Sequence, residues 1–183
     1  MALTRIGLNQ SINLASNVTG TLPTANGGTG ATSFAPGKVL QVVTDEMSSN
    51  VSTNSDSYSD ISGLSVSITP SATSSKIYVI ANLCSARGAN SGFHSCNVFF
   101  NIVRDSTELN ATRLNYYAGN GNTAREVDGT ITLTNLDEPN TTSATTYKCQ
   151  FKCLGSSGYQ AEVNQNTNNT PVSSITVMEI AGW

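Results

Sequence analysis

The chain has 183 residues, of which only 11% are charged, and nine Lys+Arg against twelve Asp+Glu leave a net charge of −3. That is about half the usual ~25% of charged residues, and Ser, Thr and Asn take their place. Binding nucleic acid requires a basic surface that displaces counterions, and the nearest thing to a basic cluster is the pair Lys148 and Lys152 on one strand. No stretch approaches the ~20 apolar residues of a membrane helix, and no basic start followed by an apolar run reads as a leader.

Residues 1–36 differ from the rest. They carry one charge, Arg5, and scattered aliphatic residues: Leu3, Ile6, Leu8, Ile12, Leu14, Val18 and Leu22. Pro23, Gly27, Gly28, Gly30, Pro36 and Gly37 punctuate the segment. With no period of two or 3.6, it cannot bury its apolar residues by itself. The expectation is an extended attachment arm over 1–36 that becomes ordered along a partner surface, with those aliphatic residues and Pro23 as anchors. Gly27, Gly28 and Gly30 form a linker to a β-domain over 37–183.

From Lys38 onward the apolar residues recur with period two, the pattern of a half-buried strand. Lys38–Thr44 reads as the first strand, and Leu64, Val66 and Ile68 mark a second before a turn at Pro70–Ser75. Lys76–Cys84 is apolar on both faces, so it is expected at the centre of a sheet or at a subunit contact. A loop is expected at Arg87–Gly92. Cys96, Val98, Phe100 and Ile102 mark the next strand, and Asp105-Ser-Thr is a tight turn into Glu108–Tyr117. Beyond a Gly/Asn loop at Gly119–Asn122 come Thr130–Leu136, Ala144–Leu154, Gly158–Asn164 and Ser173–Ile180. Eight to ten short strands without a helix predict an all-β sandwich or barrel, and an antiparallel jelly-roll-like β-sandwich fits the count.

Four cysteines raise disulfide and zinc readings. Cys149 and Cys153 lie four residues apart on one strand, roughly 13 Å, too far for a disulfide or a shared zinc. Cys84 and Cys96 flank the predicted loop, where a hairpin would bring them together. Buried free thiols are the expectation for all four, consistent with assembly in a reducing cytoplasm.

The sequence Asn17–Thr32, NVTGTLPTANGGTGAT, resembles the linker of many tailed-bacteriophage tail-fibre proteins, in which N-V-x-G-T-L-P-x-A-N-G-G-T-G precedes a fibre or knob domain. The body is also similar to virion proteins of aquatic phages, through GLSVSITPSATSSKI (Gly63–Ile77), FFNIVRDST (Phe99–Thr107), LDEPNTTSATTYKCQF (Leu136–Phe151) and SSITVMEIAGW (Ser173–Trp183). The resemblance implies a particle-bound homotrimer, located in the virion and assembled in the bacterial host: a short tail fibre or knob that binds host surface. A capsid decoration, cement or head-fibre protein is the alternative, since no shaft sequence is present.

Catalytic and cofactor readings are set aside at this stage. GGTGAT lacks the Gly-Lys-Ser/Thr ending of a phosphate loop. His94 stands near Cys96, but no acid is spaced to orient it. Asp45/Glu46, Glu126/Asp128 and Asp137/Glu138 are the carboxylate pairs a virion glycan hydrolase would need; adjacent strand residues point to opposite faces, which demotes the first and third, while Glu126 and Asp128 are spaced to share a face and read as solvated loop charges. The expectation is no enzyme, no metal and no cofactor. Tyr116, Tyr117, Asn120 and Asn122 form a candidate receptor-binding loop, because tyrosines and amides suit glycan contact; a host glycan is therefore the further candidate partner, as for a virion lectin. The N-x-S/T sites at Asn17, Asn50, Asn110 and Asn140 open a third reading, a secreted trimeric jelly-roll domain, against which the missing leader argues.

Overall fold

The computed structural model describes residues 38–90, 96–116, 127–154, 159–165 and 171–182, with backbone alone at 85–90, 96, 115–116, 127–128 and 159. The arm, its linker glycines, His94, Tyr117, Asn120, Asn122 and Glu126 lie outside the described residues.

Ten strands and no helix form among the described residues. The first sheet holds β1 (Val39–Met47), β10 (Ser173–Ile180), β4 (Lys76–Asn90) and β7 (Val127–Asp137); short β2 (Val51–Thr53) and β9 (Tyr159–Val163) extend it beside the far half of β4. The second sheet runs β3 (Ser59–Ile68), β8 (Thr145–Leu154), β5 (Cys96–Arg104) and β6 (Thr107–Tyr116). Setting β2 and β9 aside, β1 pairs with β10, β3 with β8, β4 with β7 and β5 with β6, every pair antiparallel. First strand with last, second with next-to-last, and so inward, is one long hairpin rolled into a sandwich, which is the jelly roll. The tip of that hairpin is the two-residue turn Asp105-Ser106, where Asp105 takes a φ of 52° that Asp tolerates better than most residues.

The core follows from the alternation. Leu64, Val66 and Ile68 of β3, Ile77, Val79, Ala81 and Leu83 of β4, and Val98, Phe100 and Ile102 of β5 all point inward. Tyr147, Cys149, Phe151 and Cys153 of β8 and Ile175 and Val177 of β10 meet them. Each fully buried Val, Leu, Ile or Phe contributes roughly 1.5–3 kcal/mol relative to exposure. In β10, and in β8 up to its exposed last residue Leu154, buried and half-buried positions alternate.

Polar links close the open sides of the sandwich. On one side Asp45 Oδ2 of β1 accepts the Ser65 amide of β3 at 3.4 Å. On the other, Asn110 Nδ2 of β6 donates to the Thr134 carbonyl of β7 at 2.7 Å. Next to it, buried Asp137 of β7 receives Arg104 Nη1 of β5 at 2.7 and 2.8 Å and the Tyr147 hydroxyl of β8 at 2.7 Å. Burial, then the Asp137 carboxylate, holds the Tyr147 phenol far above its ordinary range, so it stays protonated as the donor.

Some sequence expectations are corrected. The loop expected at Arg87–Gly92 begins late, because Arg87–Asn90 continue β4 and pair with β9, and Arg87 and Gly88 with β7 as well. A ladder needs only backbone groups, so the small residues there hide the strand. Cys84 and Cys96 are not brought together by a hairpin: β4 belongs to the first sheet and β5 to the second. Cys84 and Cys149 are free thiols.

Candidate interaction surface

The two outer faces of the sandwich are chemically unlike. On the second sheet, Lys148 pairs with Asp60 at 2.7 Å, and Gln150 donates to the other Asp60 oxygen at 2.7 Å. These partners, Gln150 first, hold the Asp60 carboxyl below the usual carboxylate range. Lys152 lies 4.3 Å from the centre of the Tyr58 ring and 5.2 Å from that of Phe99, a cation–π arrangement. Asn101, on the same face, is only 1% exposed; its Nδ2 donates to Glu108 at 2.9 Å while its Oδ1 has no partner. The outer face of this sheet thus carries locally paired charges, beside the Phe99 ring and the exposed Leu154.

The outer face of the first sheet differs. Strand register lines up Val42, Met178, Tyr78 and Leu136 across all four main strands. The next row is Thr44, Thr176, Ile80 and Thr134. Neither row contains a charge. Val42 and Leu136 are 56% and 53% exposed, and Val39 and Leu40 open the same edge strand at 51% and 39%. These four make up most of the large exposed apolar residues among those described, Leu154 and Val172 being the others. Among the described residues charge appears beyond the two rows: exposed Lys38 just before β1, Glu46 on β1, and the pair Lys76–Glu138 at 2.7 Å. Val42, Met178, Tyr78 and Leu136 thus form one apolar row, beside an uncharged row of three threonines and Ile80.

The sequence reading of β4 touches this site. Its two-faced apolar pattern is explained by a central position, with Ile77, Val79, Ala81 and Leu83 in the core and Tyr78 and Ile80 half-buried on the outer face. The other contributors were not legible as a site, since Val42, Met178 and Leu136 are far apart in sequence and meet only through register.

Of the three carboxylate pairs, Asp45/Glu46 and Asp137/Glu138 are separated or engaged, and Glu126 lies outside the described residues. Asp45 and Glu46 of β1 differ in exposure as their opposite directions require, and Asp45 caps the Ser65 and Glu46 amides. Asp137 is saturated by Arg104 and Tyr147, while Glu138 faces Lys76. Asp128 lies in β7 with only its backbone described. Tyr116 ends β6, its side chain outside the description. No cluster of three or more His, Cys, Asp or Glu suited to a metal occurs among the described residues.

One buried carboxylate escaped the sequence reading. Glu179 of β10 is 1% exposed and pairs with no cation among the described residues; its Oε1 accepts the Ser71 amide at 2.7 Å and the Ser71 and Ser75 hydroxyls at 2.6 Å each. Its Oε2 accepts Gln41 Nε2 at 2.6 Å. Burial opposes ionisation, but these donors outweigh it and bring the carboxyl down to about 2. The site ties the β3–β4 turn to β1 and β10, a structural role.

No family model matches the chain, and no curated protein is similar to it. Among solved structures it is similar to VP2 of infectious bursal disease virus in a subviral particle, at 10% identity and a TM-score of 0.38, over 79% of this chain and 38% of that one. It is similar to a chain of the T13 particle of the same virus, at 13% identity and a TM-score of 0.39, over 98% of this chain and 40% of that one. A Gx-strain structure of that virus matches at 14% identity and a TM-score of 0.31, over 79% and 39%. The chain therefore spans about two fifths of the length of the proteins it matches.

Proposed function

We propose that the chain is a structural subunit of a tailed-bacteriophage particle: a short homotrimeric tail fibre or knob, held in place by the arm over 1–36. The observation that carries this reading is the uncharged band across four strands of the first sheet, led by the row Val42, Met178, Tyr78 and Leu136, on a body whose opposite face carries the Lys148–Asp60 pair and Lys152. A solitary protein has no use for such a band, whereas a subunit packed among copies does. The jelly roll, an architecture common in viral capsid proteins, and the likeness of Asn17–Thr32 to tail-fibre linkers support the particle assignment. The reading assigns no catalysis: Asp137 is engaged as a cross-link and Glu179 as a turn anchor.

The test is removal of residues 1–30. The truncated body is expected to stay folded and to be missing from purified particles. Normal incorporation of the truncated chain refutes the role of the arm, and a monomeric full-length chain at micromolar concentration refutes the trimer. The compact rolled body, without a shaft among the described residues, favours one second reading, a capsid-surface decoration. Copy number separates the two: a few trimers per particle for a fibre, hundreds for a decoration. In either case the stretch Tyr116, Tyr117, Asn120 and Asn122 is the candidate host-glycan contact, tested by glycan binding that is lost when the two tyrosines become alanine.

A further inference from the structure

We infer that the apolar band on the first sheet is the seat of residues 1–37 of a neighbouring copy. This rests on the reading of the chain as a self-associating subunit, and it adds which surface the arm occupies. Three observations point to that occupant. The described chain begins at Lys38 and enters β1 directly, so the arm leaves the body at the edge strand that carries Val39, Leu40 and Val42. The chemistry matches, since residues 1–37 bear one charge and seven spaced Leu, Ile and Val residues, and the two central rows of the band bear no charge. The length suffices too: an extended arm of this size reaches roughly 120 Å, while four strands measure about 15 Å from centre to centre. An arm leaving at the rim of its own band can therefore cross to the band of the next copy, and each copy in a closed ring both gives and receives one. On the second sheet such a segment would meet Lys148, Asp60 and Lys152, and covering them with aliphatic side chains would strip water from paired charges.

The experiment uses the full-length chain with the photo-crosslinker benzoylphenylalanine in place of Val42. That side chain points outward at 56% exposure, so the substitution leaves the core untouched. Equal amounts of ¹⁴N- and ¹⁵N-labelled protein are refolded together and irradiated, and the linked peptides are mapped by mass spectrometry. Adducts between position 42 and residues 1–37, joining light to heavy chains, are the expected result. Leu136→Glu on the same band should lower their yield at least fivefold. Adducts to the body of another copy, adducts confined to one chain, or an absence of protein adducts each overturn the inference. A sample that is still trimeric under any of those outcomes leaves the proposed function standing, whereas a monomeric sample removes both.

Discussion

Replacing Glu179 with Gln removes the charge from a carboxylate that four neutral donors hold without a cation. In the folded chain this carboxyl titrates at about 2 against an ordinary value of 4.5. At ~1.4 kcal/mol for each pH unit of displacement, the ionised form contributes about 3 kcal/mol at neutral pH. Because the folded value is depressed, that stabilisation is complete above pH 4.5 and is lost as the pH falls through 2. Glu179→Gln keeps the size of the side chain and turns one acceptor oxygen into a donor facing Gln41 Nε2. The variant should therefore unfold more easily by about 2–3 kcal/mol at pH 7, a fall in Tm of roughly 5–10 °C for a domain of this size. Urea titrations at a series of pH values provide the assay. The gap between parent and variant should narrow to about half near pH 3, because the parent loses the charge that the variant never had. Other carboxylates, such as Asp60 and Glu138, titrate alike in both proteins and cancel. A gap that is absent at pH 7, or that stays constant down to pH 3, refutes the reasoning.

Asp137→Asn withdraws the charge that joins β7 to Arg104 and Tyr147; a loss of about 2–4 kcal/mol is expected by denaturant unfolding, and Tyr147→Phe, which deletes one hydrogen bond, should cost about 1–2 kcal/mol. The two losses share Asp137, so the double variant should lose less than their sum. Gly63 has a φ of +89° at the irregularity in β3, and a Cβ there would stand 3.1 Å from that of Met47; Gly63→Ala should destabilise by roughly 1–3 kcal/mol in the same assay. Burial pushes the Cys149 thiol up to about 12. Peptide mapping after treatment with an aromatic disulfide reagent at pH 8 should find Cys149 unmodified in the folded chain and modified in urea, and rapid native labelling would contradict its placement.

Most of the fold was legible because period two survives wherever one face of a strand is dry. Ser173–Ile180 matches β10 residue for residue, and Ala144–Leu154 misses β8 by one. Legibility failed where the backbone alone sets the structure. Val51–Thr53 is a three-residue strand tied to β9, too short to show a period. Arg87–Asn90 reads as a break because Gly and Ala there offer no side-chain pattern, yet all four residues pair with β9, and Arg87 and Gly88 with β7 as well. The Glu179 site was invisible for another reason: its donors, Ser71, Ser75 and Gln41, lie more than one hundred residues away, and nothing local distinguishes Glu179 from a solvated glutamate. The apolar band was half visible, through Tyr78 and Ile80 in β4, and became a surface only when register placed Val42, Met178 and Leu136 beside them.

Under the proposed function, assembly is separable from folding. The inward residues of both sheets supply the core, and the Asp137, Asn110 and Asp45 links close the sides. At the far end of β10, Ser173 Oγ donates to Asn164 Oδ1 at 2.6 Å and accepts the Cys84 amide at 2.8 Å, while Asn164 Nδ2 reaches the Met47 carbonyl at 2.7 Å, so the ends of β1, β4, β9 and β10 are tied together. None of these links uses the outward side chains of Val42 or Leu136. An aliphatic residue left half exposed on a pleated face adds little to the stability of a single copy, and its hydration is relieved only when another surface covers it. Substituting charge at Val42 or Leu136 should thus leave the unfolding midpoint of the isolated body within about 0.5 kcal/mol while weakening contact between copies. If such changes unfold the body instead, the band belongs to the core and the case for an interface fails.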